Sequence, residues 1–106
     1  MKVDLFNTAA TANTPILTTP ISGTVMPFGI MVIYITVANA GSLSMKRTLY
    51  NTTVTETFAA EVANQPNWHN FQASWNETFN FQFSVSTTLL KFGVAEIVPL
   101  TMHTSA

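Results

Sequence analysis

Residues 76 to 85 read NETFNFQFSV. Apolar and polar side chains alternate through this stretch. Phe79, Phe81, Phe83 and Val85 fall on one face, and Thr78, Asn80, Gln82 and Ser84 on the other. Successive side chains of an extended chain point to opposite faces, so a period of two marks a half-buried β-strand. The phenylalanine face requires a core. Phe79, Phe81 and Phe83 are expected to fill the space between two sheets, against Val32, Tyr34 or their neighbours. The polar face carries no charge, which raises the question of whether it meets water or protein.

The same period recurs on either side. Residues 42–50 place Leu43, Met45, Arg47 and Leu49 on one face, and an arginine in that row suggests a strand end or an interface. Residues 51–62 begin as a threonine-rich strand with Val54, Glu56 and Phe58 in phase, and Ala59–Ala63 could add a helical turn. Residues 68–75 separate Trp68, Asn70 and Gln72 from His69, Phe71 and Ala73, and residues 89–98 separate Leu90, Phe92, Val94 and Glu96 from Leu89, Lys91, Gly93 and Ala95. Gly41, in the turn ANAGS, and the asparagines and prolines between runs supply turn residues. Seven or eight short strands at this spacing predict an all-β domain, a single antiparallel β-sandwich or a small barrel.

The first 28 residues differ in texture. MKVDLF can form a short strand or an arm, residues 7–15 read as a loop, and Pro15, Pro20 and Pro27 confine any strand here to an edge. The organisation expected is an extended arm or edge segment at 1–28, a sandwich core at 29–98 and a tail at 99–106. Val3, Leu5, Phe6, Ile16 and Leu17 are the arm's candidate interface residues.

Residues 29–40, GIMVIYITVANA, resemble a secretory h-region followed by the cleavage-like Ala38-Asn39-Ala40. No basic cluster stands next to the run, it is rich in β-branched residues, and it is too short to cross a bilayer as a helix, which takes about 20 residues. It is expected to form a central strand buried on both faces, in a chain that folds in the cytoplasm.

The chain has 106 residues, enough for one domain with one core. Charged residues make up only 8% of it, against about 25% in an average soluble protein. A net charge of -1 gives little mutual repulsion, which favours a subunit covered by copies of itself over an isolated domain. Four basic residues form no stripe for phosphates, so nucleic acid is not an expected partner, and neither is a membrane. Cysteine is absent, which removes disulfides and thiolate metal sites.

Catalysis needs titratable groups that converge. His69 and His103, one aspartate and four glutamates show no such pattern, no glycine-rich phosphate loop is present, and no enzyme activity, metal or cofactor is expected. Trp68, Phe71 and Trp75, interleaved with amides, could form a glycan platform, although aromatics equally anchor cores and interfaces. Asn51 and Asn76 begin Asn-x-Thr sequons, a pattern common by chance in so asparagine- and threonine-rich a chain.

SLSMKRTLYNTTVTETF and FNFQFSVSTTLLKFGVAEI, within residues 42 to 97, resemble small single-sandwich virion proteins of viruses that infect archaea and bacteria. The resemblance implies a jelly-roll-like fold, homo-oligomeric assembly as a capsid, decoration or spike protein, and a virion location, with other structural proteins of the particle as further partners. The alternatives are an extracellular filament subunit of a prokaryote and a carbohydrate-binding or adhesin module.

Overall fold

The structure is a computed structural model that describes residues 2–22 and 28–97. Eight strands follow one another: β1 (Lys2–Ala10), β2 (Ile21–Ser22), β3 (Phe28–Val37), β4 (Leu43–Leu49), β5 (Thr52–Thr57), β6 (Asn67–Ser74), β7 (Thr78–Phe83) and β8 (Thr87–Ile97). They form two four-stranded antiparallel sheets. The first has the order β1-β8-β3-β6 and the second β2-β7-β4-β5. Four of the pairings, β1 with β8, β2 with β7, β3 with β6 and β4 with β5, join strands whose numbers sum to nine. That is one long hairpin of eight strands rolled into a two-sheet sandwich, the jelly-roll arrangement.

The core is the inward row of each strand. Phe79, Phe81 and Phe83 are fully buried, as the alternation in β7 predicts. They face Met31, Ile33 and Ile35 rather than Val32 and Tyr34, because β3 presents its odd-numbered residues inward. Edge-on ring pairs cross between the sheets: Phe81 with Phe92 at 5.5 Å and Phe71 with Phe79 at 5.0 Å. Val85 lies past the end of β7, at the surface.

Four sequence expectations need correction. β3 is central, but only one of its faces is buried; Ile30 is exposed and Val32, Tyr34 and Thr36 are half-covered. β1 runs on through Ala10, into the segment expected to be a loop. Residues 59–63 make no helical turn, and instead Glu61 bridges to Gly41. In β8 the alternation breaks. Its pairing to β3 shifts between Thr36 and Val37, so that Leu89 and Phe92 both reach the core. A bulge inserts one residue and reverses the phase of the strand beyond it. Asn7, opposite the bulge on β1, has a positive φ of 49°.

The polar face of β7 also receives its answer. The chain between β1 and β2 runs along the edge of β7, in the plane of the sheet. Ile16 N–H donates to Phe81 O at 2.7 Å, Asn13 N–H to Phe83 O at 2.7 Å, and the Asn80 side chain donates to Leu17 O at 3.1 Å. Uncharged Asn80 thus meets the molecule's own backbone, where an amide desolvates at lower cost than a charge, and Gln82 stays half-exposed. The tail from residue 99 and His103 lie outside the described residues.

Candidate interaction surface

Two kinds of surface stand out: the outward face of the β1-β8-β3-β6 sheet, and the open side of the sandwich where β5 and β6 are the last strands of their sheets. The outward face follows from register. Asp4 lies opposite Gly93, Gly93 opposite Tyr34, and Tyr34 opposite Trp68, so one row crosses all four strands. The Tyr34 hydroxyl donates to Asp4 Oδ1. Its ring sits tilted against Trp68 at 5.6 Å, and Lys91 Nζ lies 5.1 Å from its centre. Phe6 and Ile30 extend the face on either side of this row. Phe6 is 60% exposed, Ile30 47% and Trp68 65%. The outward face of the other sheet is built mostly from threonine, serine and amide side chains, with Lys46 among them, and Ser44 is bonded to Thr57 and Thr48 to Thr53. The two sides of the sandwich are therefore chemically unlike.

On the open side, Arg47 of β4 reaches across to the other sheet. Its Nε and Nη2 donate to the two oxygens of Glu77 at 2.7 and 2.8 Å. Nη1 donates to Glu56 at 2.9 Å, and Nη2 also donates to the carbonyl of Gln72 at 2.7 Å. Its guanidinium lies 5.4 Å from the centre of the Phe71 ring and 5.6 Å from that of Phe79. Glu77 is buried and also accepts from Ser74 N–H at 3.0 Å, fixing the β6–β7 turn. Burial pushes the Glu77 carboxyl up, but the Arg47 and Ser74 hydrogen bonds and the Arg47 charge outweigh it and hold the group below its ordinary value. The hydrogen bond to Glu77 raises Arg47, burial opposes, and Glu56 adds to the rise. With both charges so engaged, this cluster clamps the two sheets together. The arginine in an apolar row thus marks an interface, one internal to the domain.

A second buried acid, Glu61, is held by His69, whose Nε2 bonds to Glu61 Oε1. Phe58 stacks on the imidazole at 4.7 Å, while Glu61 Oε2 has no hydrogen-bond partner. A shallow cleft of about 320 Å³ lies beside this pair, between Phe58, Trp68 and Asn70. Among the described residues, no three metal-ligating side chains come together.

The residues singled out in the sequence separate. Val3 and Leu5 pack half-buried against the molecule's own core, as do Ile16 and Leu17, and only Phe6 of that group stands outward. β1 is hydrogen-bonded to β8 along its length, so the structure places it within the domain's own sheet as an edge strand. Trp68, Phe71 and Trp75 do not converge. Phe71 is in the core, Trp68 is on the outward sheet face, and Trp75 is exposed in the β6–β7 turn. Seven residues of strand part the two tryptophans by roughly 20 Å. Asn51 and Asn76 are both exposed, in the β4–β5 and β6–β7 turns. The residue that sequence reasoning missed is Ile30, hidden by the expectation that β3 is buried on both sides.

The fold is that of a minimal jelly roll, and this architecture serves capsid proteins, lectins and cupins alike. Comparison with protein-family models, with curated proteins and with solved structures returns no match.

Proposed function

We propose that this protein is a structural subunit that assembles with copies of itself, as a component of a virus particle. The observation that carries the reading is the outward face of the β1-β8-β3-β6 sheet. It displays Phe6, Ile30 and Trp68 around Tyr34, with Asp4 and Lys91 already engaged at the tyrosine. Large apolar side chains exposed on one sheet face support an interaction surface there. The low charge of the chain acts in the same direction by leaving little repulsion between copies. The jelly-roll order suits close packing in a shell, spike or decoration.

Light scattering on the purified chain, followed by electron microscopy of what elutes, tests the proposal. A defined oligomer or shell that dissociates when Trp68→Ser and Phe6→Ser are combined supports it. A filament redirects it to an extracellular fibre. An 11.6 kDa monomer at high concentration removes it. The carbohydrate reading then rests on Trp68 beside Asn70, because Trp75 is too distant to share one sugar ring.

A further inference from the structure

A sandwich has sheet edges, and an open edge is a row of backbone donors and acceptors ready to pair with another chain. Four strands occupy edges here: β1 and β6 in one sheet, β2 and β5 in the other. Three of them are blunted. β1 is interrupted at Asn7, whose φ is positive. β2 is two residues long. The edge of β6 is covered where Arg47 binds the Gln72 carbonyl and where the Asn67 side chain bonds to Val62 O at 3.1 Å.

β5 has none of these devices. Its six residues, TTVTET, contain no proline and no lysine, and its pairing with β4 has no bulge. The only charge, Glu56, is bound to Arg47. Five of the six residues are exposed, Val54 at 53%. The strand is nevertheless firmly held on its inner side by its register with β4 and by the Ser44–Thr57 and Thr48–Thr53 hydroxyl pairs.

Hydrogen-bond phase fixes which groups face outward. Phe58 N–H donates to Leu43 O at 2.9 Å, which makes 43 and 58 a hydrogen-bonded pair. Bonded pairs alternate along an antiparallel ladder, so residues 52, 54 and 56 also turn their backbone groups to β4. Thr53, Thr55 and Thr57 therefore aim theirs at the open edge. Among the described residues, no backbone hydrogen bond reaches them from that side.

We infer that a second copy of this chain pairs with β5, antiparallel and about a two-fold axis at Val54, to make one continuous eight-stranded sheet. The inference rests on the assembly reading and names one of its contacts. A two-fold axis normal to the sheet preserves its faces, so residues opposite each other must share a face. With the axis at Val54, Thr53 exchanges backbone hydrogen bonds with Thr55 of the other copy, and reciprocally. Val54 meets Val54 as the non-bonded pair, with Cα atoms about 4.5 Å apart. Each exposed valine then covers the other. The cleft of about 400 Å³ lined by Leu49, Tyr50, Val54 and Glu56 meets its symmetry mate across the axis. A single isologous contact of this kind closes at a dimer, so a larger particle uses it together with a second surface, which the outward sheet face supplies.

The chain has no cysteine, so single-cysteine variants report contacts without background. In the full chain under mild oxidation, Val54→Cys is expected to form a disulfide dimer at least about tenfold faster than the exposed loop control Thr18→Cys, since disulfides need Cα atoms about 4.4–6.8 Å apart. Thr55→Pro removes only an outward-facing N–H and keeps the β4 ladder. It is expected to abolish the dimer and leave monomer unfolding unchanged. Cross-linking at Thr55→Cys in place of Val54→Cys overturns the Val54 axis. Failure of both to cross-link overturns the β5 contact, and light scattering on the same samples then separates the two readings. A persistent oligomer leaves assembly standing without this contact, while a monomer removes both.

Discussion

The ring of Tyr34 lies directly on the backbone of Gly93, the residue opposite it on β8. A Cβ built on Gly93 would fall inside that ring. Gly93 has no positive φ, so the position is set by close approach and not by backbone conformation. The missing side chain is what lets Tyr34 lie flat, reach Asp4 with its hydroxyl and rest against Trp68. The outward face of the sheet is organised around this one absence of a side chain.

Gly93→Ala is therefore expected to displace Tyr34, cost about 1–3 kcal/mol of stability as overpacking does, and disturb assembly. In a Tyr34→Ala background the same change should cost far less, because the clash has gone. A double-mutant cycle by urea unfolding measures the difference, and equal costs in both backgrounds would show that Tyr34 does not set the constraint.

The clamp at Arg47 joins β4 of one sheet to the Gln72 backbone and the Glu77 turn of the other. Arg47→Met leaves the buried Glu77 carboxylate without its cation, and a broken buried pair of this kind costs about 3–5 kcal/mol. Arg47→Met combined with Glu77→Gln should recover a large part of that loss, since no uncompensated charge remains. Thermal unfolding of the three variants checks the order.

Acid should loosen the same clamp. The hydrogen bonds and charge that Glu77 receives hold its folded value below the ordinary carboxylate value of 4.5, burial notwithstanding. A group depressed in the folded state contributes stability above its unfolded value and loses it as pH falls through the folded one. The urea midpoint should therefore drop below about pH 4.5 in a manner that Glu77→Gln removes. In Arg47→Met only the Ser74 hydrogen bond still opposes burial at Glu77, so the loss of stability in acid should shrink.

How far the sequence carries depends on what each feature requires. The period of two in residues 76–85 and 42–50 is local, and both strands keep the faces it assigns. The parity of residues 68–75 already parts Trp68 from Phe71, so their separation was legible as well. The β8 bulge was not. It arises where β8 must serve β1 and β3 together, and nothing in LLKFGV marks the residue that is skipped. The outward exposure of Ile30 was equally hidden, because an apolar run reads as doubly buried unless one knows that no layer covers the second face. Among the described residues, four of the five non-glycine residues with positive φ are asparagines: Asn7, Asn13, Asn64 and Asn76. Asparagine tolerates that region better than most residues, which gives part of this chain's asparagine content a backbone reason.

Phe81 lies at the centre of β7, fully buried, with its ring edge-on to Phe92 of the opposite sheet. Met45, opposite it on β4, is also buried, so with Phe92 across the core the space left by a smaller side chain is walled by both sheets. Phe81→Ala should cost about 3–5 kcal/mol, from lost transfer energy plus the unfilled cavity. Phe81→Leu keeps most of the volume and should cost less than half as much. Gln82→Ala, one residue on and on the outward face, should cost under about 1 kcal/mol. Chemical denaturation of the three side by side tests the register as well as the energies. A Gln82→Ala loss as large as that of Phe81→Ala would mean that β7 presents its other face to the core.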